Sequence, residues 1–192
     1  HAGFISEIVH LASKSPRLPH TVNCIAVIPA YNEEKNITKT LLNIQKAHVP
    51  GRVAVIVFEN LSLDTPRDLT INRIQAFKRK YPGMIIYHVF KRFRTRIPIG
   101  FIRRYATDYA IQLRLFSGNQ KNMIIASLDA DVESIQSNYF VNIIKAFENN
   151  VWLDAVELKL DFPKEYFKAY PNLWILQRLF DYCWKYMRHK VN

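Results

Sequence analysis

Met123-Ile124-Ile125-Ala126-Ser127-Leu128-Asp129-Ala130-Asp131 is the stretch from which the fold can be argued. Its apolar start is too short for a helix, so we interpret it as a buried strand that ends in two carboxylates. Ligands of open α/β sheets bind outside the carboxyl ends of the strands. Two aspartates one residue apart can hold Mg²⁺ or Mn²⁺ there, together with phosphate oxygens of a ligand. Taken alone the pair is weak evidence, because two turn or cap residues give the same pattern.

The rest of the chain alternates between strand and helix patterns. Short apolar runs predict further strands over residues 24–28, 53–58, 84–89 and 155–160. Apolar residues at helical spacing predict helices that begin after Asn32, Pro66, Pro98, Ser137 and Pro171. Asn32 and Thr65 are the expected N-caps of the first two of these helices. The alternation predicts an α/β fold of three layers, α/β/α, with a mainly parallel sheet.

Polar side chains follow three of the predicted strands. They are Tyr31-Asn32-Glu33, Glu59-Asn60 with Asp64, and Asp129 with Asp131. In a parallel sheet these strand ends meet along one rim, so we expect the three groups to lie close together. This convergence strengthens the interpretation of the aspartate pair as a ligand site.

Composition narrows the class of protein and its partners. The chain has 192 residues, 49% of them hydrophobic, and no apolar run approaches the roughly 20 residues of a membrane span. Two cysteines are too few for a disulfide framework, which favours the cytoplasm. The net charge of +11 favours an anionic partner such as a nucleotide or a phospholipid surface. Motifs of RNA-binding modules and DNA-reading helices are missing, so we expect no nucleic-acid partner.

Four motifs resemble those of family 2 glycosyltransferases, which have the GT-A fold. They are residues 27–37, residues 57–65 with Asp64 after a turn, residues 100–110 with Arg104 at the family's arginine, and the Asp-x-Asp of residues 128–131. Together they cover about residues 24–150, in the family's order. Arg103 and Arg104 are neighbours on one predicted helix, so we expect only one of them to be functional.

The resemblance implies transfer of a sugar from a nucleotide-sugar donor to an acceptor hydroxyl, on a glycan or a lipid-linked sugar, in cell-wall or polysaccharide synthesis. It implies a divalent metal, Mg²⁺ or Mn²⁺, at Asp129 and Asp131. Tyr31 would lie near the base, Asp64 would bond the base, and Arg104 would lie near the base or the pyrophosphate. Nucleotide-sugar binding is assigned to Pro29, Ala30, Tyr31, Glu33, Asn60, Asp64, Arg104, Asp129 and Ala130.

The sequence departs from the family pattern in three places. Tyr105 stands where the family has asparagine, and Leu63 and Pro66 make the turn of the second motif less typical. Arg94, Arg96 and Ile97 replace a Gly-rich lead-in. The family's catalytic base is an acid well beyond the Asp-x-Asp motif. The nearest acids in that direction are Glu157, Asp161 and Glu165, and each is better explained as a solvated strand-end or helix-end residue. The catalytic residue therefore stays unassigned.

Three divisions of the chain are expected: an arm over residues 1–20, a GT-A domain over 21–165, and a C-terminal helix over 166–192 that begins an acceptor region. The chain starts with His1, and we expect it to be part of a longer enzyme. Two other functions are weighed: a non-catalytic nucleotide-sugar-binding module, and a basic domain that binds a membrane surface. Peripheral contact with the inner face of the membrane would also suit a lipid-linked acceptor of the enzyme.

Overall fold

The computed structural model describes residues 2–118, 122–150, 152–153, 155 and 168. The chain divides into two compact units, His1–Leu153 and Asp154–Asn192, and the helices and strands given below belong to the first. The predicted strand over 155–160 falls almost entirely outside the described residues. The helix predicted from Pro171 and the acids Glu157, Asp161 and Glu165 fall outside them as well.

Helices and strands alternate along the first unit as the sequence predicts. In chain order they are α1 (Ala2–Ser13), β1 (Cys24–Ala30), α2 (Ile37–Lys46), β2 (Val53–Ser62), α3 (Thr70–Lys80), β3 (Ile85–Phe93), α4 (Ile99–Phe116), β4 (Ile124–Ser127) and α5 (Tyr139–Asn149). No helix among the described residues has the length and apolar character needed to cross a membrane.

The four strands form one parallel sheet in the order β3-β2-β1-β4. Cys24 of β1 lies opposite Val53 of β2 on one side and opposite Ile124 of β4 on the other. The chain steps outward from β1 to β3 and then returns to the far side of β1. The direction in which strands are added therefore reverses between β1 and β4, and such a switch point is where open α/β sheets bind ligands.

Two hydrophobic cores cover the two faces of the sheet. One face packs against α2, α3 and α5 through residues such as Leu41, Phe77 and Phe140. The other packs against α1 and α4 through residues such as Ile8 and Tyr109. These layers confirm the predicted three-layer α/β/α fold with a parallel sheet. Because α1 buries Ile8 and Ala12 within the second core, these residues of the predicted N-terminal arm contribute to the domain's own interior.

β1 and β2 are buried along their whole length, because each has strands on both sides and helices on both faces. β4 was predicted to be buried, and this is wrong for its first residues. Ile124 and Ile125 are half-buried, since β4 lies at an edge of the described sheet.

The first two helices begin later than the sequence predicts. Asn32 does not cap α2, because its φ of 53° is left-handed, and α2 begins at Ile37. Residues after Pro66 stay in a loop until α3 begins at Thr70. β2 also runs on to Ser62, since it continues to pair with β3 as far as Phe93. The residues from 63 to 69 are therefore a connecting loop at the carboxyl end of the sheet, which we call the β2–α3 loop.

Candidate functional site

A cleft of about 630 Å³ opens at the carboxyl ends of β1, β2 and β4, where the start of α4 faces them. Seven of the residues predicted from separate motifs line this cleft: Pro29, Tyr31, Glu33, Asn60, Asp129, Ala130 and Asp131. Residues that precede or begin α4 complete the lining: Arg96, Ile97, Pro98, Ile99 and Ile102. The switch point of the sheet thus brings together side chains that are about 100 residues apart in the chain.

Asp129 and Asp131 both reach the cleft, but they have different partners. Arg103 of α4 donates to Asp129 Oδ1, and its other terminal nitrogen donates to Ser127 Oγ at 2.5 Å. The Asp129 carboxylate is thereby partly neutralised by the protein. No ion pair with Asp131 occurs within the described part of the chain, so its charge stays available to a ligand.

Two side chains of α2 hold the loop that carries the aspartates. The buried Thr40 Oγ1 donates to the carbonyl of Ala130 at 2.6 Å. Asn43 Nδ2 donates to the carbonyls of Val132 at 3.2 Å and Glu133 at 2.8 Å. Neither residue was predicted from the sequence. A signal was present, because Thr40 lies within the apolar stripe of an amphipathic helix, and a buried hydroxyl in that position needs a partner.

Tyr31 joins the end of β1 to the β2–α3 loop. Its hydroxyl shares a hydrogen bond of 2.7 Å with Thr65 Oγ1, which in turn shares one of 2.5 Å with Ser62 Oγ. Hydrogen bonding to Ser62 and Thr65 lowers the pKa of Tyr31. A hydrogen bond to Ser62 also lowers the pKa of Asp64, which keeps this exposed carboxyl ionised beside the tyrosine.

Glu33 has a raised pKa. Burial is the largest cause, and the negative charges of Asp131, Asp68 and Asp129 add to it, while a hydrogen bond from Asn36 acts in the opposite direction. Glu33, Asp129 and Asp131 all line the cleft, and a bound cation would reduce the repulsion between their carboxylates.

An ion pair between a buried carboxylate and a partly exposed arginine fixes the β2–α3 loop to the sheet. Glu59 is fully buried, and Arg67 binds both of its oxygens through Nε and Nη2 at 2.7 Å. His88 Nε2 lies 2.7 Å from Glu59 Oε2, and the Arg67 guanidinium also covers the Phe90 ring at 3.9 Å. Burial raises the pKa of Glu59, but the hydrogen bonds from Arg67 and His88 outweigh it and bring the pKa below its usual value.

Three of the predicted site residues do not line the cleft. Ala30 is buried, and its carbonyl accepts a hydrogen bond of 3.0 Å from Asn60 Nδ2, so it contributes through its backbone. Asp64 lies on the β2–α3 loop near Tyr31. Arg104 is 69% exposed and pairs with Asp108 of its own helix at 3.7 Å. Of the two neighbouring arginines, it is Arg103 that contacts the Asp-x-Asp motif.

Comparison with known proteins adds a likeness of fold. No family model and no curated protein matches the sequence. The mannosyltransferase PcManGT from Pyrobaculum calidifontis, solved with GDP-Man and Mn²⁺, is 18% identical with a TM-score of 0.48, and the match covers 77% of this chain and 41% of that one. TarS of S. aureus (residues 1–349) is 14% identical with a TM-score of 0.48, over 72% of this chain and 39% of that one.

The chain therefore spans about two fifths of the length of these two structures. One of the two is a mannosyltransferase by description, and with TM-scores of 0.48 neither assigns this chain to a family. At these identities the likeness concerns the fold alone and says nothing about substrates.

Proposed function

We propose that this chain is the nucleotide-sugar-binding part of a glycosyltransferase, which transfers the sugar to an acceptor hydroxyl with the help of a divalent metal. One observation carries the proposal. Residues singled out in three separate motifs line a single cleft at the switch point of a parallel sheet. Such crevices are the usual ligand sites of open α/β sheets.

The metal would be held by Asp129 and Asp131. Within the described residues there is no cluster of three or more His, Cys, Asp or Glu side chains that could hold a metal unaided. Two carboxylates with substrate phosphates are nonetheless the usual donor set for Mg²⁺, and oxygen ligands suit Mn²⁺ as well. Since Arg103 already binds one oxygen of Asp129, Asp131 would be the principal protein ligand. When bound, the metal would stabilise the negative charge of the departing nucleoside diphosphate.

The nucleoside would lie at the side of the cleft formed by β1 and β2. Pro29, Tyr31 and Asn60 line that side, and the ionised Asp64 lies beside Tyr31 on the β2–α3 loop. Asn60 donates one amide hydrogen to the Ala30 carbonyl, so its second amide hydrogen and its side-chain oxygen are available to a base. We assign the hydrogen bond to the base edge to Asp64 and the contact with the base to Tyr31.

The acceptor and the place of action belong to the same proposal. The net charge of +11 suits a protein that works on the cytoplasmic side of an anionic membrane surface. A lipid-linked sugar or a growing glycan is the acceptor that fits such a place, in cell-wall or polysaccharide synthesis. The residue that takes the proton from the acceptor hydroxyl is not assigned.

Calorimetric titration with uridine and guanosine diphosphate, with and without Mn²⁺, tests the proposal. We expect one of the two to bind and the metal to tighten binding. Asp131→Asn should remove the effect of the metal, because it deletes the principal ligand. Glu133→Gln is a matched control, since Glu133 is exposed, pairs with Lys39 and does not line the cleft. Binding of neither nucleotide, or equal affinity with and without metal in the wild type, would contradict the proposal.

A further inference from the structure

The segment between β3 and α4 brings one arginine into the cleft. Arg96 is exposed and lines the cleft, and its guanidinium carbon lies 5.5 Å from the centre of the Tyr31 ring. Among the described residues no carboxylate forms an ion pair with Arg96. Nearby basic residues differ in this respect, because Arg103 pairs with Asp129 and Arg67 pairs with Glu59. Arg96 is therefore a cation held over an aromatic face, and none of the ion pairs of the described residues includes it.

The charges along the cleft explain why such a cation is needed. Three of the described lining residues, Glu33, Asp129 and Asp131, are acidic, and Arg96 is the basic residue among them. A diphosphate that enters this cleft is repelled by the carboxylates unless positive charge offsets them. A divalent metal would act at Asp129 and Asp131, whereas Arg96 would act from its position next to Tyr31.

We propose that Arg96 is a donor-binding residue whose guanidinium binds a phosphate of the donor's diphosphate. This rests on the proposed function. Arginine suits the role, because its planar group can donate two parallel hydrogen bonds to phosphate oxygens. Tyr31 keeps the guanidinium at the cleft in the free protein, and its ring contact is weak enough to yield to a phosphate. The resemblance to glycosyltransferases gives Arg96 no role, since this segment departs from the family pattern.

The test compares ligands that differ only in their phosphates. Uridine and guanosine diphosphate are titrated in the presence of Mn²⁺, and the nucleoside of the tighter binder is titrated separately by NMR. We expect Arg96→Gln to weaken diphosphate binding by about tenfold, and to change nucleoside binding by less than about twofold. Arg96→Lys should restore part of the loss. Arg94→Gln is the matched control, because Arg94 is an exposed arginine of the same segment that does not line the cleft.

The possible results distinguish the role of Arg96 from the proposed function of the chain. Equal diphosphate affinities of wild type, Arg96→Gln and Arg94→Gln would overturn the role of Arg96 and leave the proposed function intact. Equal losses for the diphosphate and the nucleoside would also overturn it, since Arg96 would then act on the base through Tyr31. Equal losses in Arg96→Gln and Arg94→Gln would overturn it as well, since the general positive charge of the segment would then explain the effect. Absence of diphosphate binding by the wild type would overturn the proposed function itself.

Discussion

Replacing Arg67 with methionine should destabilise the fold in a way that depends on pH. Arg67 lies on the β2–α3 loop and binds both oxygens of the fully buried Glu59. Methionine keeps an unbranched apolar stem but removes the charge and both hydrogen bonds. Glu59 would then be a buried carboxylate with His88 as its remaining partner.

The size of the effect follows from the burial of the two partners. Removing one partner of a fully buried pair costs about 3–5 kcal/mol. Arg67 is 30% exposed, and His88 still contacts Glu59, so we expect a smaller loss. We estimate about 2–3 kcal/mol at neutral pH. For a unit of this size, that corresponds to a fall in Tm of about 4–12 °C.

The pH dependence identifies the charge on Glu59 as the cause. In the wild type the pKa of Glu59 is lowered, so its stabilising contribution is present above the unfolded pKa and is lost as pH falls through the folded pKa. Without Arg67, burial dominates and raises the pKa of Glu59, so the penalty exists only while Glu59 is ionised. The loss of stability in Arg67→Met should therefore shrink between about pH 7 and about pH 4.5.

Urea unfolding of wild type, Arg67→Met and Arg67→Lys at the two pH values measures this. Arg73→Met is the control for loss of an arginine, since Arg73 is exposed on α3. A loss of the same size at both pH values would refute the reasoning, because lost contact with the Phe90 ring, rather than the buried charge, would then explain it. A loss no larger than that of Arg73→Met would refute it as well.

Three further predictions concern the cleft. Thr40→Val leaves the Ala130 carbonyl without its donor, so the free energy of unfolding in urea should fall by about 1–2 kcal/mol and Mn²⁺ binding should weaken. Ser137→Val is the control at an exposed position. Glu33→Gln should raise Tm at neutral pH and weaken Mn²⁺ binding. Because the pKa of Glu33 is raised, protonated Glu33 contributes stability below its unfolded pKa, and this contribution is lost as pH rises through its folded pKa. The gain in Tm of Glu33→Gln over the wild type should therefore vanish in acid. Asp64→Ala should weaken nucleoside diphosphate binding by about tenfold while Tm stays unchanged, and a lower Tm with unchanged affinity would make Asp64 a structural acid.

The sequence predicts the layers of the fold well, because they follow from local patterns. Buried strands such as β1 and β2 are short continuous apolar runs, and α4 has an unbroken apolar stripe. The ends of the elements are predicted less well, because they depend on distant partners. β2 continues to Ser62 since β3 is beside it, and Asn32 is left-handed where it contacts the β2–α3 loop.

The site divides in the same way. Residues within a few positions of a strand end, such as Tyr31 and Asp131, can be predicted, because the sheet brings strand ends to one rim. The partners of the supporting side chains cannot be predicted, since nothing in the local pattern relates Thr40 to Ala130 or Arg67 to Glu59. To decide which of Arg103 and Arg104 faces the cleft, one must also know how α4 is rotated about its axis. The apolar stripe of the helix defines that rotation only to within one residue.

A crystal structure with Mn²⁺ and the nucleoside diphosphate that binds would locate both ligands. We expect an anomalous peak for manganese about 2.1 Å from a carboxylate oxygen of Asp131, in contact with the diphosphate, with the base beside Tyr31. Nucleotide bound outside the cleft, or manganese bound away from Asp129 and Asp131, would contradict the proposed function.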